Sequence, residues 1–224
     1  MASNASSKTI EIAGLEWQAA MPGVRMKHLW SDAETKRRAV ITRFDAGAKL
    51  PMHRHVGDEI LYVIEGSIAD ESGTVAAGNM GYRPNGCIHN VSSKHGATVF
   101  ALITGGVEPA HERGDAPPSQ IFLLSEMPWI DSPILPGVRQ KTVLEDKAGK
   151  RMVVLARFEP GTRVPRHRHV REELIYMIEG AHADEFCEIS AGNFNVRAPG
   201  CEHDVTSKNG ATWIAIVYGP VERL

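Results

Sequence analysis

The sequence predicts an all-β protein that consists of two barrels or double-sheet sandwiches in tandem, and two observations support this. The chain aligns with itself after a shift of 114 positions, without a gap from about Pro22 to Glu108, and close to half of the aligned positions are identical. Each copy also consists of short segments rich in β-branched and aromatic residues, separated by Gly, Pro, Asn and Asp at intervals of roughly 8–12 residues. A repeat of this length indicates two copies of a whole domain rather than a solenoid of small units.

The repeat predicts the domain boundaries. We expect an N-terminal tail over residues 1–20, a first domain over residues 21–108 and a second domain over residues 121–224. The segment PAHERGDAPPSQ, residues 109–120, is rich in proline, charge and turn formers, and it predicts a linker. With 224 residues, each copy is long enough to bury a core of its own.

Composition and charge exclude several classes of protein. The net charge of −2 offers no basic excess for nucleic acid, and no apolar run approaches the length of about 18 residues that crosses a bilayer. The start, MASNASSK, lacks the apolar core of a signal peptide, so we expect a cytoplasmic protein. The three cysteines (Cys87, Cys187 and Cys201) are an odd number without CxxC spacing, which favours reduced thiols.

Two matched segments, HRHVGDE at His53 to Glu59 and HRHVREE at His167 to Glu173, are the main candidate sites. Residues two apart on a strand face the same side, so the two histidines of each segment project together. The glutamate shares this facing if the strand continues without a bulge. A divalent metal stabilises such a convergence of imidazoles and carboxylate. An isolated HxH pair on a solvent-facing strand is the alternative, but the matched glutamate and the second copy favour a metal site.

Both copies resemble the cupin family, whose first motif reads G-x5-HxH-x3-E-x6-G and is matched without exception. The residues that match it are Gly47, His53, His55, Glu59 and Gly66 in the first copy, and Gly161, His167, His169, Glu173 and Gly180 in the second. The second motif, G-x5-P-x-G-x2-H-x3-N, is matched in part. Ser93 and Ser207 stand where asparagine is usual, and Ala198 replaces the proline of the second copy.

Within the cupin family, the chain resembles most the cupins of the ChrR type, named for an anti-sigma factor. The residues that support this are PGV near the start of each copy, HRH followed by a short acidic turn into EI or EL, and DE a few residues after the motif glycine. This resemblance implies a bicupin of two jelly-roll barrels, which are double-stranded β-helices, with one divalent transition metal in each. The implied ligands are His53, His55, Glu59 and His89 in the first domain and His167, His169, Glu173 and His203 in the second. Such ligands suit Fe(II) and Zn, which we favour, and also Mn or Ni.

The resemblance further implies a non-haem metal-dependent dioxygenase or related oxidoreductase that acts on a small oxygenated organic substrate of the diketone or aromatic ketone type. The alternative is a ChrR-like metal-bound sensor or regulatory protein of an oxidative-stress response. Only about twenty residues precede the first repeat, without a helical domain or Cys/His zinc cluster, which argues against a direct sigma antagonist. A storage-type bicupin fits less well, because such proteins need not keep all eight ligands. We expect a small-molecule partner and no nucleic acid or membrane partner, and a homodimer is plausible because cupins often pair through edge strands.

The two copies differ at positions where we expect a pocket, so the pockets need not accept the same molecule. These positions are Met80, Tyr82 and Val99 in the first copy and Phe194, Val196 and Trp213 in the second. The matched Arg83 and Arg197 could anchor an anionic substrate, or they could form structural pairs with Glu65/Glu179 or Asp70/Asp184, which are also matched. We interpret Cys87 and Cys201 as buried packing residues rather than redox-sensitive thiols.

Overall fold

The computed structural model describes residues 6–148 and 150–224, and in these residues the regular structure is β-strand with two 3-10 turns. Contacts divide the described chain into two compact units. The first barrel is Leu15–Glu126, and the second barrel consists of the described residues of Met1–Gly14 and Met127–Leu224. No helix in the described part of the chain is long and apolar enough to cross a membrane.

Twenty-two strands are described, and all of their pairings are antiparallel. In chain order they are β1 (Ser7–Ile10), β2 (Gln18–Met21), β3 (Val24–Asp32), β4 (Arg37–Phe44), β5 (Lys49–Val56), β6 (Glu59–Asp70), β7 (Gly73–Ala76), β8 (Met80–Arg83), β9 (Ile88–Ser92), β10 (Ala97–Thr104), β11 (Gly106–Pro109), β12 (Gln120–Phe122), β13 (Ile130–Asp131), β14 (Val138–Asp146), β15 (Arg151–Phe158), β16 (Thr162–His169), β17 (Glu173–Ala183), β18 (Glu188–Ser190), β19 (Phe194–Arg197), β20 (Glu202–Ser207), β21 (Ala211–Tyr218) and β22 (Val221–Arg223). The 3-10 turns are Ile12–Gly14 and Leu124–Glu126.

One long strand joins the two faces of each barrel. In the first barrel the strand order is β11-β5-β9-β6-β10-β4-β3-β2. The first part of β6 pairs with β10 and β8, and its last four residues pair with β7. In the second barrel the order is β13-β14-β15-β21-β17-β20-β16-β22, and β17 has the corresponding role. The predicted all-β class with two jelly-roll barrels is therefore confirmed.

Apolar side chains from the two faces form one core in each barrel. In the first barrel the core includes Leu61, Val63 and Ala101, and in the second it includes Ile175 and Met177. These residues alternate along their strands with residues on the opposite face, as expected for a sheet with one face toward a core. Several core residues also line the cavities that contain the histidine clusters.

The segment that precedes each repeat pairs with the sheet of the other repeat. Strand β1, from the predicted N-terminal tail, pairs with β19 and belongs to the second barrel. Strand β12 starts at the last residue of the predicted linker, pairs with β8 and belongs to the first barrel. Each barrel thus gains an extra strand on an edge, and the chain passes between the units after Gly14 and after Glu126. Each of these strands thus belongs to the unit of its partner strand, although the repeat alone does not include it in that domain.

The glycine that ends the first motif allows two backbone segments to approach closely. Gly66 has φ +70°, and a Cβ atom there would lie 2.0 Å from the carbonyl oxygen of Gly96. Gly180 has φ +68°, and its Cβ atom would lie 2.1 Å from the carbonyl oxygen of Gly210. Neither the positive φ nor the contact accommodates a side chain, so glycine is required at both positions.

The serines that replace the usual asparagine have a structural role. The Ser93 hydroxyl donates a hydrogen bond to the carbonyl oxygen of Ser67 over 2.7 Å, and the Ser207 hydroxyl donates to that of Ala181 over 2.6 Å. Ser93 directly follows β9 and Ser207 ends β20, so each bond joins the end of the strand with the last motif histidine to the long strand of the same barrel. The departure from the motif therefore leaves the position of the histidine intact.

Candidate metal centres

Three imidazoles converge in the first barrel. Strand β5 carries His53 and His55, and β9 carries His89 directly opposite His53 in the register of the two strands. The ring centroids lie 4.6 to 5.1 Å apart, and one nitrogen of each ring lies within 4.8 Å of the other two. The alternating direction of side chains on β5 brings both of its histidines to this point, and Arg54 is exposed on the other face.

The second barrel contains the same cluster. His167 and His169 lie on β16, and His203 lies on β20 opposite His167. The ring centroids are 4.5 to 5.2 Å apart. The structure therefore brings together all six histidines that were predicted, in two groups of three.

Hydrogen bonds determine which nitrogen of two histidines carries the proton. In the first barrel, Nδ1 of His53 lies 2.9 Å from the carbonyl oxygen of Pro51, which accepts only. Nδ1 of His89 lies 3.1 Å from a carboxylate oxygen of Asp70. Burial raises the pKa of Asp70, but the hydrogen bond from His89 and further donors outweigh it and lower that pKa, so the carboxylate is an acceptor. Both histidines are therefore Nδ1–H tautomers when neutral, and each carries a lone pair on Nε2.

The second barrel shows the same arrangement. Nδ1 of His167 lies 3.0 Å from the carbonyl oxygen of Pro165, and Nδ1 of His203 lies 3.0 Å from the Asp184 carboxylate. Sequence reasoning did not assign this role to either aspartate, although both were noted as matched between the repeats. The matched spacing of 19 residues between each aspartate and its histidine was the available signal.

The middle histidine of each cluster is buried and neutral. His55 is 2 % exposed, and its Nε2 lies 3.0 Å from Nε2 of His89; the corresponding distance between His169 and His203 is 3.1 Å. Burial lowers the pKa of His55 to about 4 and that of His169 to about 4. These two histidines are thus unprotonated at neutral pH, and a neutral imidazole suits a transition metal cation.

The predicted carboxylate ligands lie beside the clusters on a different strand. Strand β5 ends at Val56 and Glu59 begins β6, so the strand does not continue from the histidines to the glutamate. The Glu59 carboxylate is 4.0 Å from Nε2 of His55, and that of Glu173 is 3.5 Å from Nε2 of His169. Two ligands of one metal, with bonds of roughly 2.0–2.2 Å, lie about 3–4 Å apart, so both distances are compatible with a metal shared by the glutamate and this histidine.

An arginine connects each glutamate to the aspartate behind the cluster. Arg83 is 1 % exposed; its Nη2 lies 3.2 Å from Asp70 and its Nε lies 3.8 Å from Glu59. Arg197 contacts Glu173 and lies 3.7 Å from Asp184. Of the two roles considered for these arginines, the structure supports the pair with an acidic residue, and it places the carboxylates around each cluster in a charged network.

Each cluster opens into a cavity with mainly apolar walls. The cavity volume is about 440 Å³ in the first barrel and about 480 Å³ in the second. Of the residues expected to distinguish the pockets, Val99 and Trp213 line the cavities, but Met80, Tyr82, Phe194 and Val196 do not. The expectation was wrong for these four because it did not consider which face of the strand each one occupies. The sequence analysis also missed His182, which lines the second cavity in place of Ile68.

The matched cysteines lie within the barrels as free thiols. Cys87 is 1 % exposed and Cys201 is 0 % exposed. Burial raises the pKa of both thiols, that of Cys201 to about 11. Both are therefore protonated at neutral pH, in agreement with a packing role.

Comparison with known structures identifies the fold. A proposed dioxygenase from Nostoc punctiforme superimposes with a TM-score of 0.81 at 12% identity, over 96% of this chain and 83% of that chain. An oxalate decarboxylase variant from Bacillus subtilis superimposes with a TM-score of 0.69 at 16% identity, over 96% and 79% of the two chains. A further structure of that decarboxylase, from a study of its Mn(II) centres, gives a TM-score of 0.67 at 16% identity, also over 96% and 79%. At these identities the likeness establishes the fold alone.

No curated protein matches the sequence. A family model does match it twice, over residues 5–107 and over residues 119–222, and its description is the ChrR cupin-like domain. The two matches cover both repeats and confirm the resemblance drawn from the motifs. With both barrels accounted for by one family model, the chain belongs to the family of ChrR cupin-like domains.

Proposed function

We propose that each barrel binds one divalent transition metal through three histidines and one glutamate. The proposed ligands are His53, His55, Glu59 and His89 in the first barrel, and His167, His169, Glu173 and His203 in the second. The observation that supports this is the tautomer state: carbonyl and carboxylate acceptors hold the proton of two histidines in each cluster on Nδ1, so both Nε2 lone pairs face the same point.

Fe(II) or Zn is the metal we favour, and Mn or Ni are the alternatives. Imidazole and carboxylate ligands are compatible with all four ions. The Bacillus oxalate decarboxylase with a similar fold has Mn(II) centres, which keeps Mn among the candidates. Metal analysis of the purified full chain distinguishes these ions directly.

The activity we propose is that of a metal-dependent dioxygenase or related oxidoreductase that acts on a small oxygenated organic molecule of the diketone or aromatic ketone type. A bound divalent metal supplies Lewis acidity toward an oxygen atom of the substrate. The chain contributes a cavity of 440 to 480 Å³ with mainly apolar walls, a size that suits a small organic ligand. Arg83 and Arg197 line these cavities and add positive charge beside the glutamates.

Oxygen uptake tests this activity. The full chain is loaded with Fe(II) without oxygen, and oxygen consumption is then followed with a panel of β-diketones and hydroxyacetophenones. We expect uptake that depends on both the metal and one class of substrate. The same preparation after His53→Ala and His167→Ala in combination is the control, and it should show none. Absence of uptake with Fe(II), Mn and Ni alike would contradict the proposed activity.

A metal-bound sensor or regulatory role is the second candidate, and the family match favours it because the model is that of the ChrR cupin-like domain. In this role the chain acts in the cytoplasm, and its cavities bind a small effector without turnover. A sensor would show metal-dependent ligand binding in calorimetry and no consumption of oxygen. If copies of the chain form a homodimer, light scattering on the purified protein will show twice the mass of 24.5 kDa.

A further inference from the structure

The second cavity contains a histidine that the metal cluster does not use. His182 lies on β17, is 2 % exposed and lines the cavity. Both of its ring nitrogens are buried without a hydrogen-bond partner among the described residues. A buried polar atom without a hydrogen-bond partner is unfavourable, so the imidazole destabilises the second barrel when no ligand is bound.

The barrel fold itself does not require this imidazole. The matched position in the first barrel is Ile68, which is 3 % exposed and lines the cavity in the same way. An aliphatic side chain therefore fills this place without an unsatisfied polar group. The histidine is a feature of the second barrel alone, and its cost indicates a role in binding rather than in folding.

The neighbours of His182 are aromatic. The ring of Trp213 lies 4.9 Å away at an interplanar angle of 74°, and the ring of Phe158 lies 6.0 Å away. Phe158 and Trp213 contact each other edge-on at 4.6 Å. The position of Trp213 is occupied by Val99 in the first barrel, so the second cavity combines a tryptophan and a histidine where the first has two aliphatic side chains.

We propose that His182 recognises a hydroxyl group on an aromatic ligand in the second cavity, and that it makes the two cavities different in specificity. A neutral imidazole presents one N–H donor and one nitrogen acceptor, and a hydroxyl group accepts and donates in the same way. Burial lowers the pKa of His182 to about 3, which keeps it neutral at physiological pH. The rings of Trp213 and Phe158 provide a surface on which an aromatic ring packs. This specificity concerns binding and does not depend on whether the metal centre is an enzyme.

A matched pair of probes tests the proposal by calorimetry on the full chain in oxygen-free buffer, so that no turnover interferes. The probes are 4-hydroxyacetophenone and acetophenone, which differ by one hydroxyl group. We expect the wild-type chain to bind the hydroxylated probe about tenfold more tightly at one site, since a hydrogen bond to a buried partner is worth about that factor. His182→Ile, which restores the residue of the first barrel, should reduce this preference to about one. His182→Gln should retain part of it, because the amide also donates and accepts.

The same variants give a second readout that does not depend on a ligand. Because His182→Ile removes two unsatisfied nitrogens, we expect the thermal midpoint of the second barrel to rise by about 5 °C. Ile175→Val, a truncation in the same core at a residue that does not line the cavity, is the packing control and should lower the midpoint without a change in preference for either probe. The proposal is overturned if the preference for the hydroxylated probe is absent or survives in His182→Ile, or if that variant is less stable than the wild type.

Discussion

Replacement of Asp184 by asparagine should move the proton of His203 from one ring nitrogen to the other. Oδ1 of Asp184 accepts hydrogen bonds from the backbone N–H groups of Phe186 and Cys187, each over 2.9 Å. In the variant, these two donors hold the amide oxygen in place, so the amide nitrogen is turned toward Nδ1 of His203. Two N–H groups that face each other repel, and the imidazole avoids this by carrying its proton on Nε2. The lone pair at the metal site is then lost.

The expected loss of metal affinity in the second barrel is about 10–100-fold, which is the usual effect when the outer partner of a metal-binding histidine is changed. This corresponds to about 1.4–2.7 kcal/mol. The measurement is a Zn(II) titration of the full chain against a chelator, in which one site should weaken and the other should keep its wild-type affinity. Asp204→Asn is the control, because Asp204 pairs with Arg163 at the surface over 2.8 Å. Wild-type affinity at both sites of Asp184→Asn would refute the role given to the aspartate.

Three further predictions concern stability. In urea, Gly180→Ala should lower the free energy of unfolding of the second barrel by at least about 3 kcal/mol. The control is Gly192→Ala, which should cost about 1 kcal/mol because Gly192 has φ +80° but open space where its Cβ would lie. Equal costs would refute the argument that Gly180 permits a close approach of two backbone segments. Removal of residues 1–11 deletes β1, so the midpoint temperature of one of two calorimetric unfolding transitions, that of the second barrel, should fall while the other stays unchanged. Two unchanged midpoints would contradict the pairing of β1 with β19. Without metal, the free energy of unfolding should fall as the pH drops from about 6.5 to 4. The cause is that His182 binds a proton in the unfolded chain but not in the folded state, where burial lowers its pKa to about 3. The slope of stability against pH should be smaller in His182→Ile, and equal slopes would contradict the lowered pKa.

The histidine clusters could be predicted from the sequence because their signal is local and repeated. His53 and His55 share a face through the period of a strand, and the third histidine follows at a fixed spacing in both copies. The position of Glu59 was less accessible to this reasoning. The turn at Gly57 and Asp58 interrupts the strand, and nothing in strand periodicity reveals where a strand stops.

The exchanged strands could not be predicted from the repeat alignment. Strands β1 and β12 are short, and each pairs with a strand of the repeat that it does not directly precede: β1 with β19, and β12 with β8. Periodicity identifies the face that a strand buries, but not the strand with which it pairs. The significance of His182 was hidden for a related reason, because an unmatched histidine attracts attention only when its burial and its unsatisfied nitrogens are known.

Metal stoichiometry tests the central claim, that each barrel is a metal site, most directly. The full chain is reconstituted with Fe(II) under anaerobic conditions and freed of excess metal, and its metal content is measured by inductively coupled plasma mass spectrometry. We expect two ions per wild-type chain, one in His53→Ala/His89→Ala, one in His167→Ala/His203→Ala, and none when all four histidines are replaced. An unchanged stoichiometry in these variants, or a folded wild-type chain that retains no divalent metal, would contradict the account.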